Sequence, residues 1–155
     1  MDFYLLDKTE KKVRSYDKNG RFVRDISGPG QGPDRLTMPI GLQIFDKNLY
    51  IYQPDSVKVF GDDGRFVQSI RLPGPAQTIK RCAKGWISLS GQNRTQRDLP
   101  TELIFWNKEL TEPTVLFSWR SENTRFPMSL EKYSLPEYST LEVDSQGRQA
   151  YVFLA

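Results

Sequence analysis

The chain is a succession of short apolar stretches interrupted every few residues by turn chemistry. Val57-Lys58-Val59-Phe60 alternates apolar and basic positions, as a half-buried strand does. Gly61-Asp62-Asp63-Gly64 follows, with a glycine where positive φ is cheap, and Phe66 to Ile70 reads as the returning strand. Upstream, Met38 to Phe45 and Leu49 to Tyr52 predict two more strands around a polar turn at Asp46-Lys47-Asn48, and Pro54-Asp55-Ser56 breaks the second of them. Four strands joined by hairpins make one antiparallel meander. No stretch carries the helical period over a useful length. Ser129 to Tyr133 is the one place where a helical turn is expected, inside an otherwise irregular 121–136.

The pattern repeats. Val13 to Ile26 aligns with Val57 to Ile70 at an offset of 44 residues, with six of 14 pairs identical: Val, Gly, Arg, Phe, Val and Ile. Phe3-Tyr4-Leu5-Leu6-Asp7 matches Leu49-Tyr50-Ile51-Tyr52-Gln53 after a one-residue gap. A period near 44 is that of a four-stranded propeller blade. A third, more diverged unit places strands at Gln77–Ala83, Trp86–Ser90, Thr101–Trp106 and Thr114–Trp119. There Lys108-Glu109-Leu110 takes the turn position without a glycine, and Gln92 to Pro100 forms a longer loop. Thr140–Asp144 and Ala150–Leu154 begin a fourth unit. The expected blade units are therefore 1–35, 36–76, 77–120 and an incomplete 137–155, all within a single partial propeller domain. About three and a quarter blades fall short of the 4–8 that close a ring. The expectation is half of a six-bladed ring: a fragment of a longer protein, or a homodimer in which two copies complete each other.

Composition narrows the chemistry. The chain has 155 residues, 22 Lys+Arg against 19 Asp+Glu, a net charge of +3, one cysteine and no histidine. Histidine-based catalytic triads and imidazole metal sites are excluded, and so is an internal disulfide. At 37% hydrophobic the core is thin, but 12% aromatic content is too high for a disordered chain. No apolar run reaches the roughly 18 residues of a membrane span, and the start, MDFYLLDKTEKKVR, shows no secretory signal.

Ile26-Ser27-Gly28-Pro29-Gly30-Gln31-Gly32-Pro33-Asp34-Arg35-Leu36, followed by Met38-Pro39, resembles the inter-blade signature of bacterial six-bladed β-propellers of the NHL-like type. Leu49 to Tyr52 and Val57 to Phe66 fit the strand and turn that follow in that family. The likeness is clear over residues 3–72 and weaker over 77–155. Asp34 stands where the family usually has Glu, and Gln53-Pro54-Asp55 lacks its aspartate directly after the strand. The resemblance implies a propeller fold. It also implies an exported or periplasmic setting, for which this chain shows no signal peptide. It leaves the ligand open.

Several residues are candidates for sites. The Gly28–Gly32 loop has glycines at alternate positions, but Pro29 and Pro33 remove donors and no Lys-Ser/Thr follows, so a crossing between blades is expected rather than a phosphate cradle. The basic stretch from Lys8 to Arg24 is interleaved with Asp7, Glu10, Asp17 and Asp25, which argues against nucleic acid. Asp46, Asp55, Asp62, Asp63, Glu142 and Asp144 fall mostly in turns, where aspartate serves the backbone. The tryptophans and phenylalanines sit at strand positions and read as core. Cys82 reads as a small core residue. Asn93-Arg94-Thr95 matches a glycosylation sequon and marks that loop as exposed.

The resulting reading is a non-catalytic binding scaffold that presents loops to a protein, peptide or saccharide partner, with no cofactor and no metal. Gln31, Arg35, Gln43 and Arg81 are the expected ligand-binding residues, by analogy with propellers that bind where the loops entering the innermost strands meet. A calcium-dependent lactonase-like hydrolase and an RNA-binding NHL-type propeller are the alternatives.

Overall fold

The computed structural model describes residues 3–74, 78–90, 101–119, 140–143 and 150–153. Among them the chain is all-β, with no helix, and is built from repeated antiparallel meanders of the β-propeller type. No helix of the described residues is long and apolar enough to cross a membrane. The chain forms two compact units, residues 1–75 and residues 76–155.

In the first unit, β1 (Phe3–Asp7), β2 (Lys12–Tyr16) and β3 (Phe22–Ser27) form a three-stranded sheet. β4 (Gly41–Phe45), β5 (Asn48–Tyr52), β6 (Ser56–Phe60) and β7 (Phe66–Arg71) form a four-stranded one in chain order. In the second unit, β8 (Thr78–Cys82), β9 (Gly85–Ser90), β10 (Thr101–Trp106) and β11 (Pro113–Trp119) make the next meander. β12 (Thr140–Val143) pairs with β13 (Ala150–Phe153), and β12 runs near β8. Each sheet falls inside one of the expected repeats. The expected loop at 92–100, the irregular 121–136 with its helical turn, the sequon at Asn93 and the carboxylate of Asp144 lie outside the described residues.

β4 starts at Gly41, three residues later than the apolar pattern predicts. Pro39 has no N–H to give, and the Met38 N–H is taken by the side chain of Gln53, 3.1 Å away. Pairing begins at Ile40, whose N–H donates to the Tyr52 carbonyl at 2.8 Å. At the β4–β5 turn, Asp46 (φ 46°) and Lys47 (φ 62°) both adopt the left-handed conformation. That geometry matches the twist of a two-residue hairpin, and the Asn48 amide donates to the Asp46 carbonyl at 3.0 Å.

The sequence repeat is a structural repeat. The β2–β3 register slips between Ser15 and Tyr16, and the β6–β7 register slips between Val59 and Phe60, 44 residues on. In both cases a valine, Val23 or Val67, is the extra residue of a bulge and is exposed. Beside it an edge-to-face ring pair closes the hairpin: Tyr16–Phe22 at 6.0 Å and Phe60–Phe66 at 5.7 Å.

The core of the first unit lies between its two sheets. Val13, Leu36, Leu49, Ile51 and Phe60 are buried together, with Tyr4, Leu6, Ile26, Leu42 and Phe66 packed around them. The register explains the grouping. Tyr4, Leu6, Val13 and Ser15 share one face of β1–β2, while Leu49, Ile51 and Phe60 share one face of β5–β6. The opposite face of the β4–β7 sheet, with Tyr52, Val57 and Val59, is buried as well. In the second unit Ile79, Cys82, Trp86, Leu89 and Leu110 are buried. Cys82 thus has the core position expected of a lone cysteine in a strand.

Candidate functional site

The link from β3 to β4 is a braced loop. Ser27 ends β3 and donates its hydroxyl to the Asp34 carbonyl. Leu36 folds back on the loop start: its N–H donates to the Gly28 carbonyl at 3.0 Å, and its carbonyl accepts from the Gly30 N–H at 3.4 Å. The Arg35 N–H closes an inner turn on the Gly32 carbonyl at 3.0 Å. Leu36 is wholly buried and anchors the loop to the core. The loop therefore consumes the N–H groups of Gly30, Arg35 and Leu36, and Pro29 and Pro33 have none. This is the backbone of a crossing between sheets rather than of an anion cradle.

Gln53 braces the far side. It stands directly after β5 and is 2% exposed. Its Oε1 accepts from the Thr37 N–H at 2.8 Å, the Thr37 hydroxyl at 2.9 Å and the Met38 N–H at 3.1 Å. Its Nε2 faces the Ser56 hydroxyl at 3.4 Å, and its own N–H donates to the Ser56 carbonyl at 2.8 Å. A buried amide with its oxygen so fully used ties the loop to the β5–β6 turn. In the sequence, Gln53 stands out only as a departure from a family pattern. The usable signal was a lone polar residue between the apolar Leu49–Tyr52 and Pro54.

Above this frame the loop shows polar groups to solvent. Gln31 is exposed at its tip. The stem of Arg35 lies over Gly30 and Gly32, where a Cβ would sit 3.1 Å from Arg35 Cγ in either case. Its guanidinium is half exposed, 3.6 Å from the Asp34 carboxylate. An ion pair so exposed contributes little to stability and leaves the cation available. Thr37 and Met38 complete the exposed surface.

The remaining expected residues are placed differently. Gln43 lies on β4, and its Oε1 accepts a hydrogen bond from the buried Tyr52 hydroxyl. Arg81 belongs to the second unit. It donates to the Gly85 carbonyl and lies over the Trp86 ring, 5.1 Å from its centroid. Gln31 and Arg35 thus share one loop, Gln43 sits on the strand that the loop leads into, and Arg81 braces its own hairpin. Among the described residues no three Cys, Asp or Glu side chains converge on a metal position. Asp46, Asp55, Asp62 and Asp63 all lie at turns, and Asp63 Oδ1 accepts from the Arg65 N–H at 2.9 Å.

No protein-family model matches the chain. No curated protein matches it either. Solved structures do. A Bacteroides fragilis protein described as a "putative exported protein" superposes with a TM-score of 0.59 at 14% identity, over 77% of this chain and 34% of its own. The likeness is one of fold. The chain spans about a third of the length of that solved protein.

Proposed function

We propose that the chain is a non-catalytic scaffold of the β-propeller type, presenting the 28–38 loop to a protein, peptide or saccharide partner. The observation that carries this reading is the contrast within the loop. Its backbone is fixed from below by Leu36 and Gln53, while Gln31, Arg35 and Met38 face solvent. A pre-ordered loop loses little conformational entropy on binding, and an arginine beside an amide can grip carboxylates, backbone carbonyls or sugar hydroxyls. The NHL-like resemblance of residues 3–72, a six-bladed parent ring and a bacterial source belong to the same proposal.

The test is a peptide and glycan array probed with the 155-residue chain and with Arg35→Ala. Loss of array signal in the variant, with its melting temperature within a degree or so of the parent, is the expected result. Thermal stabilisation by calcium that EDTA reverses would move the reading to a metal-dependent hydrolase. Oligonucleotide binding that weakens steeply with salt would move it to an RNA binder.

A further inference from the structure

The sequence holds one Asn-Gly pair, Asn19-Gly20, and one Asp-Gly pair, Asp63-Gly64. The 44-residue repeat puts them at the same place in two hairpins, β2–β3 and β6–β7. A side-chain carbonyl followed directly by glycine is set for attack by the next backbone nitrogen. The ring that forms has five members, and the glycine brings no side chain to obstruct it. The two turns differ in how firmly they hold this pair.

In the second repeat the pair is held. Asp63 Oδ1 accepts from the Arg65 N–H at 2.9 Å, and Oδ2 lies 3.5 Å from Arg65 Nε. The Arg24 guanidinium covers Gly64, 2.9 Å from where a Cβ would stand. In the first repeat the bracing has moved to another residue. The Arg21 N–H, counterpart of that of Arg65, is taken by Asp17 Oδ1 at 2.9 Å, and the same oxygen accepts from the Asn19 N–H at 2.8 Å. Asp17 stands where the second repeat has Gly61, which has no side chain to offer. The Asn19 side chain is left with no hydrogen bond among the described residues. A Cβ on Gly20 would meet nothing within 4 Å, and Lys18, Asn19, Gly20 and Arg21 are all exposed.

The other two asparagines among the described residues are tied. The Asn48 amide donates to the Asp46 carbonyl at 3.0 Å. Asn107 donates to the Thr111 hydroxyl and accepts from the Thr111 N–H, both at 2.9 Å. They precede Leu49 and Lys108 rather than glycine. One restraint is common to both turns: the Gly20 N–H donates to the Asp17 carbonyl at 3.0 Å, and the Gly64 N–H to the Gly61 carbonyl at 2.9 Å. Exposed hairpin tips open locally at small free-energy cost. The shared bond therefore does not distinguish the two sites.

We propose that Asn19 is a site of spontaneous modification, deamidating through a cyclic imide while Asp63 in the matching turn stays intact. In the opened turn the Gly20 nitrogen attacks Asn19 Cγ. The N–Cγ bond forms, the Cγ–Nδ2 bond breaks, and Nδ2 departs as ammonia with the proton from the Gly20 nitrogen. Water then opens the ring. Addition at Cγ gives aspartate; addition at the backbone carbonyl carbon gives isoaspartate, in which the chain runs through the side chain. Either product removes one unit from the net charge of +3. The isoaspartyl form also adds a carbon to the turn that the bond from the Asp17 N–H to the Arg21 carbonyl, 2.9 Å long, closes.

The test is to age the 155-residue chain in mildly alkaline buffer, folded and in urea, and cut it after lysine. Fragments 19–47 and 59–80 are read by mass and by methyl transfer from an isoaspartyl methyltransferase. In the folded chain, fragment 19–47 should pass from amide to acid mass and accept methyl groups at least about tenfold faster than 59–80. Asn19 that stays intact in the folded chain, with unfolding in urea as the clock, overturns the proposal. Equal methyl acceptance by the two fragments overturns it as well. Asn19→Gln should silence fragment 19–47, because its ring would need six members. A signal that survives belongs to Asp25, Asp34 or Asp46 and overturns the proposal equally. None of these outcomes bears on binding by the loop at Arg35.

Discussion

Among the described residues, three hairpins with longer turns solve one problem in two ways. β2–β3 and β6–β7 turn through Gly20 (φ 76°) and Gly64 (φ 73°). In each, the glycine N–H donates back three residues, to Asp17 at 3.0 Å or to Gly61 at 2.9 Å. β10–β11 makes the same turn with Leu110 at φ 60°, its N–H donating to the Asn107 carbonyl at 3.2 Å. Leucine in that conformation is strained by roughly 1–2 kcal/mol. What offsets the strain is burial. Leu110 is 5% exposed, and the buried Trp86 indole donates to the Lys108 carbonyl inside the turn at 3.1 Å. The first two turns are therefore specified locally, by backbone freedom and an edge-to-face ring pair. The third is specified by its surroundings.

That contrast can be broken at several points. The largest effect is expected at Gly85, which pairs with Cys82 across the β8–β9 turn, where the second repeat has Asn48. A Cβ there would lie 2.0 Å from the Trp106 carbonyl oxygen, so the backbone itself must move. Gly85→Ala should cost about 3 kcal/mol by urea unfolding, the upper part of the overpacking range. Asn48→Gly should cost a fraction of that.

Trp86→Phe comes next. It keeps most of the apolar volume but leaves the Lys108 carbonyl without its indole donor, for a loss of about 2 kcal/mol. A loss below half that value would mean the turn does not depend on the latch. Leu110→Gly relieves the strain but removes a buried side chain worth about 1.5–3 kcal/mol, so the net effect is destabilising by roughly 1 kcal/mol. Stabilisation instead would show that strain, not burial, dominates the third turn.

The smallest effects sharpen the comparison within the first two repeats. Gly20→Ala meets no atom within 4 Å, so its cost of about 1 kcal/mol is purely conformational. Gly64→Ala adds a contact with the Arg24 guanidinium, 2.9 Å from the new Cβ, and that side chain can swing aside. Gly64→Ala should exceed Gly20→Ala by a few tenths of a kcal/mol, and Arg24→Ala should erase the difference.

The architecture was legible because β-structure of this kind is written locally. Alternation in Val57–Phe60 and glycine turns 44 residues apart need no tertiary context. The third hairpin shows where that ends. Lys108-Glu109-Leu110 could be placed as a turn by spacing, yet nothing in the triplet says that Leu110 adopts positive φ, because a buried tryptophan 24 residues earlier makes it tolerable. Gln53 is the same lesson at the candidate site. Its role lies in three donors from Thr37 and Met38 that only the fold brings to it. Gln31 and Arg35 were placed together by adjacency in sequence. Arg81 could not be read as a brace for Trp86, because its reach across the hairpin depends on register.

The tryptophans carry one more consequence. Trp86, Trp106 and Trp119 all belong to residues 76–155, and residues 1–75 contain none. Indole emission therefore watches one half of the molecule alone, while far-ultraviolet dichroism watches both. Overlaying the two melting curves asks whether the halves come apart as one cooperative body or in sequence, with no label attached.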